Sequence, residues 1–151
     1  MPQRKSEKKN AGKKLRKTIR KSKNDKKCAQ TQIVRTLMEM LNVIKLYHWN
    51  TKSYPEHKAT DELYARLNDH VDKFVEVSLG KKGTRIVKWN KQFELPIFNK
   101  HATFKTRMYE YLDFLVKLDG CFTSPYDSDL LNIRDEILAD VNQFLYLLTF
   151  K

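Results

Sequence analysis

The chain has 151 residues, enough for one domain whose core needs no staples, with only four glycines and four prolines. Its formal net charge of +12 points toward polyanionic partners, and no apolar run approaches the ~18 residues of a membrane span. The basic N-terminus leads into no hydrophobic stretch and does not read as a secretory signal. Cys28 and Cys121 are spaced neither as a metal site nor as a disulfide framework, so a reducing, intracellular compartment is the default.

The charge is divided unevenly. Residues 1–27 hold thirteen Lys or Arg against two acids, a net of +11, and residues 28–151 hold seventeen against sixteen, a net of +1. The first segment buries too little to offset the entropy of ordering, so it is expected to be a disordered arm joined to a folded domain over 28–151. Its cations are Arg4, Lys5, Lys8, Lys9, Lys13, Lys14, Arg16, Lys17, Arg20, Lys21, Lys23, Lys26 and Lys27. They suit contact with nucleic-acid phosphates, which releases counterions and carries no sequence information. No aromatic is present to stack on bases. A nuclear import signal, which "KKLRKTIRKSK" also resembles, and a plain solubilising tail are the alternatives.

From Cys28 to about Asn50, Ile33, Leu37, Leu41, Ile44 and His48 recur at intervals of three or four, one face of a helix. Pro55 disfavours helical angles at Tyr54 and opens a second helix, about Pro55 to Leu79, with Leu63, Leu67, Val71, Phe74 and Val75 inward. "GKKG" ends it. About twenty irregular residues follow as a crossover, with Thr84–Trp89 a short strand at most. A third helix, about Ala102 to Asp119, buries Phe104, Met108, Tyr111, Leu112 and Leu115. The fourth follows "TSPYDSD", whose Ser and Asp residues are natural caps. Its stripe is Leu130, Ile133, Ile137, Val141, Phe144, Leu145 and Leu148. Two helices, a crossover and two helices predict an all-α four-helix bundle.

The second helix carries another stripe: His57, Asp61, Ala65, Asn68, Asp72 and Glu76. Taken alone, such a stripe is most simply a solvated surface, and His48 a core histidine with satisfied nitrogens. As metal ligands the residues meet a geometric limit. His57 and Asp72 are fifteen residues apart, about 22 Å along a helix, whereas metal–ligand bonds span about 2.0–2.6 Å. Two antiparallel copies across a two-fold axis would bring His57 and Asp61 of one chain to Asp72 and Glu76 of the other. Mixed imidazole and carboxylate ligands suit iron better than a closed zinc site.

"YHWNTKS", followed by a spaced His, Asp, Asp and Glu, resembles the signature of the Dps mini-ferritins, the DNA-binding proteins from starved cells. His48-Trp49-Asn50 matches the end of that family's first helix, and His57, Asp61, Asp72 and Glu76 match its second. The resemblance implies a ferritin-like bundle and a homo-oligomer, a dodecamer in that family. It also implies iron oxidised at a di-iron site between subunits, with His48, His57, Asp61, Asp72 and Glu76 as ligands and Trp49 beside it intercepting oxidising equivalents. Wedge packing is the plainer role for Trp49. Two departures stand out: the His48–His57 turn is about three residues short, and Val75-Glu76-Val77 lacks the family's Arg. The leading expectation is therefore a DNA-binding, iron-oxidising protein. The alternatives are a non-catalytic bundle that compacts nucleic acid and a nucleus-directed interaction module.

Overall fold

The computed structural model describes residues 28–86 and 92–150. The arm expected over 1–27, with all thirteen of its cations, lies outside them, as do residues 87–91 of the expected crossover and strand. Among the described residues there are four α-helices, α1 (Gln30–Asn50), α2 (Tyr54–Lys82), α3 (His101–Lys117) and α4 (Ser128–Leu147), with a short 3-10 turn at Leu118–Cys121. Among the described residues there is no strand, and no helix is long and apolar enough to cross a membrane.

The apolar stripes become the core. Ile33, Leu37 and Ile44 of α1, Leu63, Leu67, Val71 and Phe74 of α2, Phe104, Met108, Tyr111 and Leu115 of α3, and all seven expected residues of α4 are buried in one cluster. Each large side chain so buried contributes roughly 1.5–3 kcal/mol by leaving water. Leu41, Val75 and Leu112 are only partly covered.

Specific contacts fix the helix directions. Gln30 reaches Ser78 at 3.1 Å and His48 stacks on His57, so α1 and α2 are antiparallel. Tyr47 stacks on Phe104 at 3.7 Å and Glu39 pairs with Arg107 at 3.1 Å, so α1 and α3 are antiparallel as well. Arg66 meets Asp140 at 2.9 Å and Lys81 meets Asp129 at 2.9 Å, setting α4 antiparallel to α2. The molecule thus has two ends. One, the elbow end, gathers the close of α1, the start of α2, the start of α3 and the close of α4. The other gathers Cys28, the close of α2 and the residues between α3 and α4.

Several details differ from the sequence expectations. Helix α2 runs through Gly80 and stops at Gly83, which takes the left-handed conformation at φ 59° and sends its N–H back to Gly80 and Leu79 carbonyls. Asp127 sits at the start of α4, but its side chain makes no cap bond to that helix. Instead it accepts from the Thr123 N–H at 2.9 Å and pairs with Lys81 at 3.5 Å. Arg134 is buried because it closes the other helix end: it donates to the Leu115 carbonyl at 2.9 Å and to Asp119 at 2.5 Å. The two cysteines, read as unpaired from their spacing, form a disulfide, with Cα atoms 5.2 Å apart and 93 residues between them in sequence. Antiparallel α1 and α3 bring the start of one beside the finish of the other, a juxtaposition that local spacing does not encode.

Candidate functional site at the α1–α2 elbow

A three-residue turn, Thr51–Ser53, joins α1 to α2. Thr51 returns its N–H to the Tyr47 carbonyl at 2.8 Å, and Ser53 accepts from the Glu56 N–H at 3.5 Å with Pro55 just inside the helix. So tight a turn faces the last turn of α1 with the first turn of α2, and the two histidines meet there.

His48 is buried and His57 half-buried. Their rings stack with centroids 3.9 Å apart. His48 Nδ1 lies 2.9 Å from the His57 carbonyl, and His57 Nδ1 lies 2.9 Å from the His48 carbonyl. A carbonyl only accepts, so both Nδ1 atoms carry a proton, and each ring, when neutral, has its lone pair on Nε2. Histidines that ligate metals are held in this way, by donating the other N–H to a carbonyl or carboxylate.

His48 Nε2 stands 3.8 Å from Asp61 Oδ1. The same oxygen accepts from Lys45 Nζ at 3.3 Å. That hydrogen bond is the main reason the Asp61 carboxyl is held below its ordinary pKa, with the charges of Lys45, His48 and Lys58 adding to it. Lys45 is held in turn over the rings of Tyr64, at 4.8 Å, and Trp49, at 5.9 Å. The Trp49 ring is 66% exposed. Its described contact is therefore with a lysine rather than with the histidines.

The other half of the expected ligand set stays apart. Asp72 and Glu76 are exposed, as are Asp61, Ala65 and Asn68, so the stripe lies on the surface of α2. Fifteen residues of unbroken helix separate Asp72 from His57, about 22 Å. Among the described residues no group of three or more His, Cys, Asp or Glu side chains is arranged to hold a metal ion. One chain thus supplies two oriented imidazoles and a carboxylate occupied by lysine, and presents two further carboxylates elsewhere on the same face.

A second network underlies the elbow. Glu56 Oε2 accepts from the Tyr47 hydroxyl at 2.5 Å and from Thr51 at 2.9 Å, and Oε1 meets His101 Nδ1 at 2.7 Å. Burial alone would raise the Glu56 pKa, but these three donors together outweigh it and hold the carboxyl below its ordinary value. Burial and the facing carboxylate push the Tyr47 hydroxyl well above its own. Sequence reasoning gave Glu56 and His101 no role. Ser53-x-x-Glu56 has the spacing of a capping box, which marks the helix start, but nothing local says that the carboxylate turns toward α1 and α3 instead. His70, also left without a role, lies 3.1 Å from Asp140 and 3.5 Å from Glu136 of α4.

Fold and site together define a class: a helical bundle with an elbow-mounted imidazole pair and a strongly basic leading segment. The chain belongs to the DUF5856 family, a family of unknown function, whose model matches residues 48–148. That match begins at His48 and so takes in both histidines, the turn and α2, but not Lys45 or Tyr47. No curated protein and no solved structure matches the chain.

Proposed function

We propose that the chain is a Dps-like protein that holds DNA through its basic leading segment and takes iron(II) as substrate between subunits. The observation that carries this reading is the reciprocal clasp of His48 and His57. It orients both rings with Nδ1 on a carbonyl, the arrangement in which metal-ligating histidines are held, and leaves Nε2 as the ligating atom, that of His48 facing Asp61 at 3.8 Å. His48, His57 and Asp61 would supply one half of each site. Asp72 and Glu76, exposed one turn apart on α2, would supply the other half from a symmetry-related copy. Bound iron would supply electrons to an oxidant; the protein's part is to hold the lone pairs and carboxylates in place. Helix directions that return the start of α3 to the start of α2 suit a ferritin-like crossover. A closed homo-oligomer, with a dodecamer the size to look for, would present many basic segments at once and multiply weak phosphate contacts into avidity. The site of action would be intracellular and DNA-associated.

Anaerobic iron(II) titration followed by air tests the chemistry. Wild type should develop amber absorbance rapidly, and an Asp72→Ala, Glu76→Ala double variant should not. Equal rates in both would remove those carboxylates from the site, and a monomer by light scattering would remove the shared site altogether. Deleting residues 2–27 should abolish a DNA gel shift at moderate salt; an undiminished shift would reject that segment as the contact.

A second reading, a non-catalytic protein that compacts nucleic acid, is favoured by one observation. Lys45 already neutralises Asp61, so this chain carries its own cation where a metal would sit. Absence of iron oxidation, together with an intact gel shift, would select it.

A further inference from the structure

The end opposite the elbow is fastened by a bond that the proposed function does not use. Cys28 precedes α1 by two residues, and Cys121 closes the 3-10 turn after α3. Both are only half-buried. Buried residues of α1 begin at Ile33, so the bond lies beyond the packed part of that helix. Among the described residues a few further contacts join it at this end. Ala29 offers no side-chain cap to α1, and Gln30 makes one side-chain bond, to Ser78. On the other strand of the tie, Leu118 is buried and Phe122 meets Phe74 edge-on at 5.9 Å. Buried Arg134 holds the close of α3 through the Leu115 carbonyl and Asp119, whereas the pairs of Lys81 with Asp127 and Asp129 bridge partly exposed groups in water and stabilise weakly.

We propose that Cys28 and Cys121 form a reversible redox latch on this end of the bundle, closed by a hydroperoxide and opened by a thiol reductant. Cys28 is the attacking thiol. It follows Lys26 and Lys27 in sequence and stands at the positive end of a helix whose first turn holds no acid, and both features favour its thiolate. The thiolate attacks one peroxide oxygen; the O–O bond breaks, the other oxygen leaves and is protonated, and Cys28 becomes a sulfenic acid. The Cys121 thiolate then attacks that sulfur. The S–S bond forms, the S–O bond breaks, and hydroxide leaves as water. Two thiols lose two electrons, and the peroxide gains them. Opening runs through a mixed disulfide with an external thiol, which ends as the oxidised partner.

The packed core is continuous without the disulfide, so opening loosens the first turn of α1 and residues 118–123 and leaves the elbow unchanged. With the latch closed, residue 28, from which the basic segment departs, is pinned beside Gly120, whose carbonyl lies 3.9 Å from Cys28 Sγ.

The full chain is treated with hydrogen peroxide and then with millimolar reduced glutathione. Free thiols are counted by alkylation and mass, and amide hydrogen exchange is followed in both states. Peroxide should protect both cysteines from alkylation, and glutathione should expose both again. In the reduced state exchange should rise about tenfold or more over residues 30–33 and 118–123, as for a locally opened unit, while residues 47–60 stay within about twofold. A Cys121→Ser variant should accumulate a trappable sulfenic acid on Cys28, and Cys28→Ser should leave Cys121 unmodified. Thiols still alkylated after peroxide, or a bond that glutathione leaves closed, would overturn the latch. So would faster exchange at the elbow equal to that at the latch, which marks a global staple. The reverse pattern in the serine variants would overturn the assignment of Cys28 as the attacking thiol.

Discussion

Glu56→Gln keeps the side chain's size and removes its charge from the network beneath the elbow. Three donors converge on Glu56: Tyr47, Thr51 and His101. The amide retains a single acceptor oxygen and turns an NH2 group toward one of them. A hydrogen bond to a charged acceptor contributes roughly 1.5–3 kcal/mol and a neutral one roughly 0.5–1.5. Each of the bonds from Tyr47 and Thr51 therefore weakens by about 1 kcal/mol. The His101 pair, whose imidazole is 42% exposed, adds a few tenths at most after screening. The variant should be less stable by about 2–3 kcal/mol at pH 7. The sign with pH follows from the depressed Glu56 pKa. Its stabilisation is complete above the unfolded glutamate value of about 4.3 and is lost as pH falls through the lower folded value. Urea unfolding of both proteins at pH 7 and at about pH 3 should show the gap closing in acid. A gap below about 0.5 kcal/mol at pH 7, or one unchanged in acid, would refute the account of Glu56 as a charged acceptor.

Lys45→Met should tighten divalent-cation binding at His48 and Asp61, measured by cobalt(II) titration, because it removes the resident ammonium; equal affinity would show that the lysine does not compete. Phe104→Ala deletes a fully buried ring packed between Tyr47 and Phe144 and should cost about 3–5 kcal/mol in urea unfolding. The two glycines near the end of α2 should respond oppositely. Gly83→Ala forces a side chain onto φ 59° and should cost about 1 kcal/mol, whereas helical Gly80→Ala, with nothing within 4 Å of the new methyl, should gain about 0.5–1 kcal/mol. Thermal melts of the pair that move in the same direction would contradict the helix end placed at Gly83.

What the sequence disclosed follows a physical boundary. The stripes of α4 and α2 are written at helical period, and burial follows that period, so the inward residues were readable one by one. His48 and His57 were readable as a pair because a short turn leaves them nowhere else to go. The close of α2 was misplaced because Gly80 and Gly83 give the same local signal, and only the left-handed angle at the second separates them. Glu56 with His101, Lys81 with Asp129 and Cys28 with Cys121 were not readable, since each joins elements more than forty residues apart through helix directions that no window of sequence contains. Lys45 was within reach: it stands one turn before His48, as Asp61 stands one turn after His57, and that matched register across an antiparallel pair predicts an ion pair.

Helix α1 has a consequence as a measuring rod. Its 21 residues set Cys28 about 30 Å from the histidines, roughly three screening lengths at 0.1 M salt. A phosphate chain gripped beside Cys28 would therefore be electrically silent at the imidazoles. Lowering the salt tenfold stretches the screening length to the length of the rod, and only then would polyanion occupancy at one tip alter proton or cation affinity at the other.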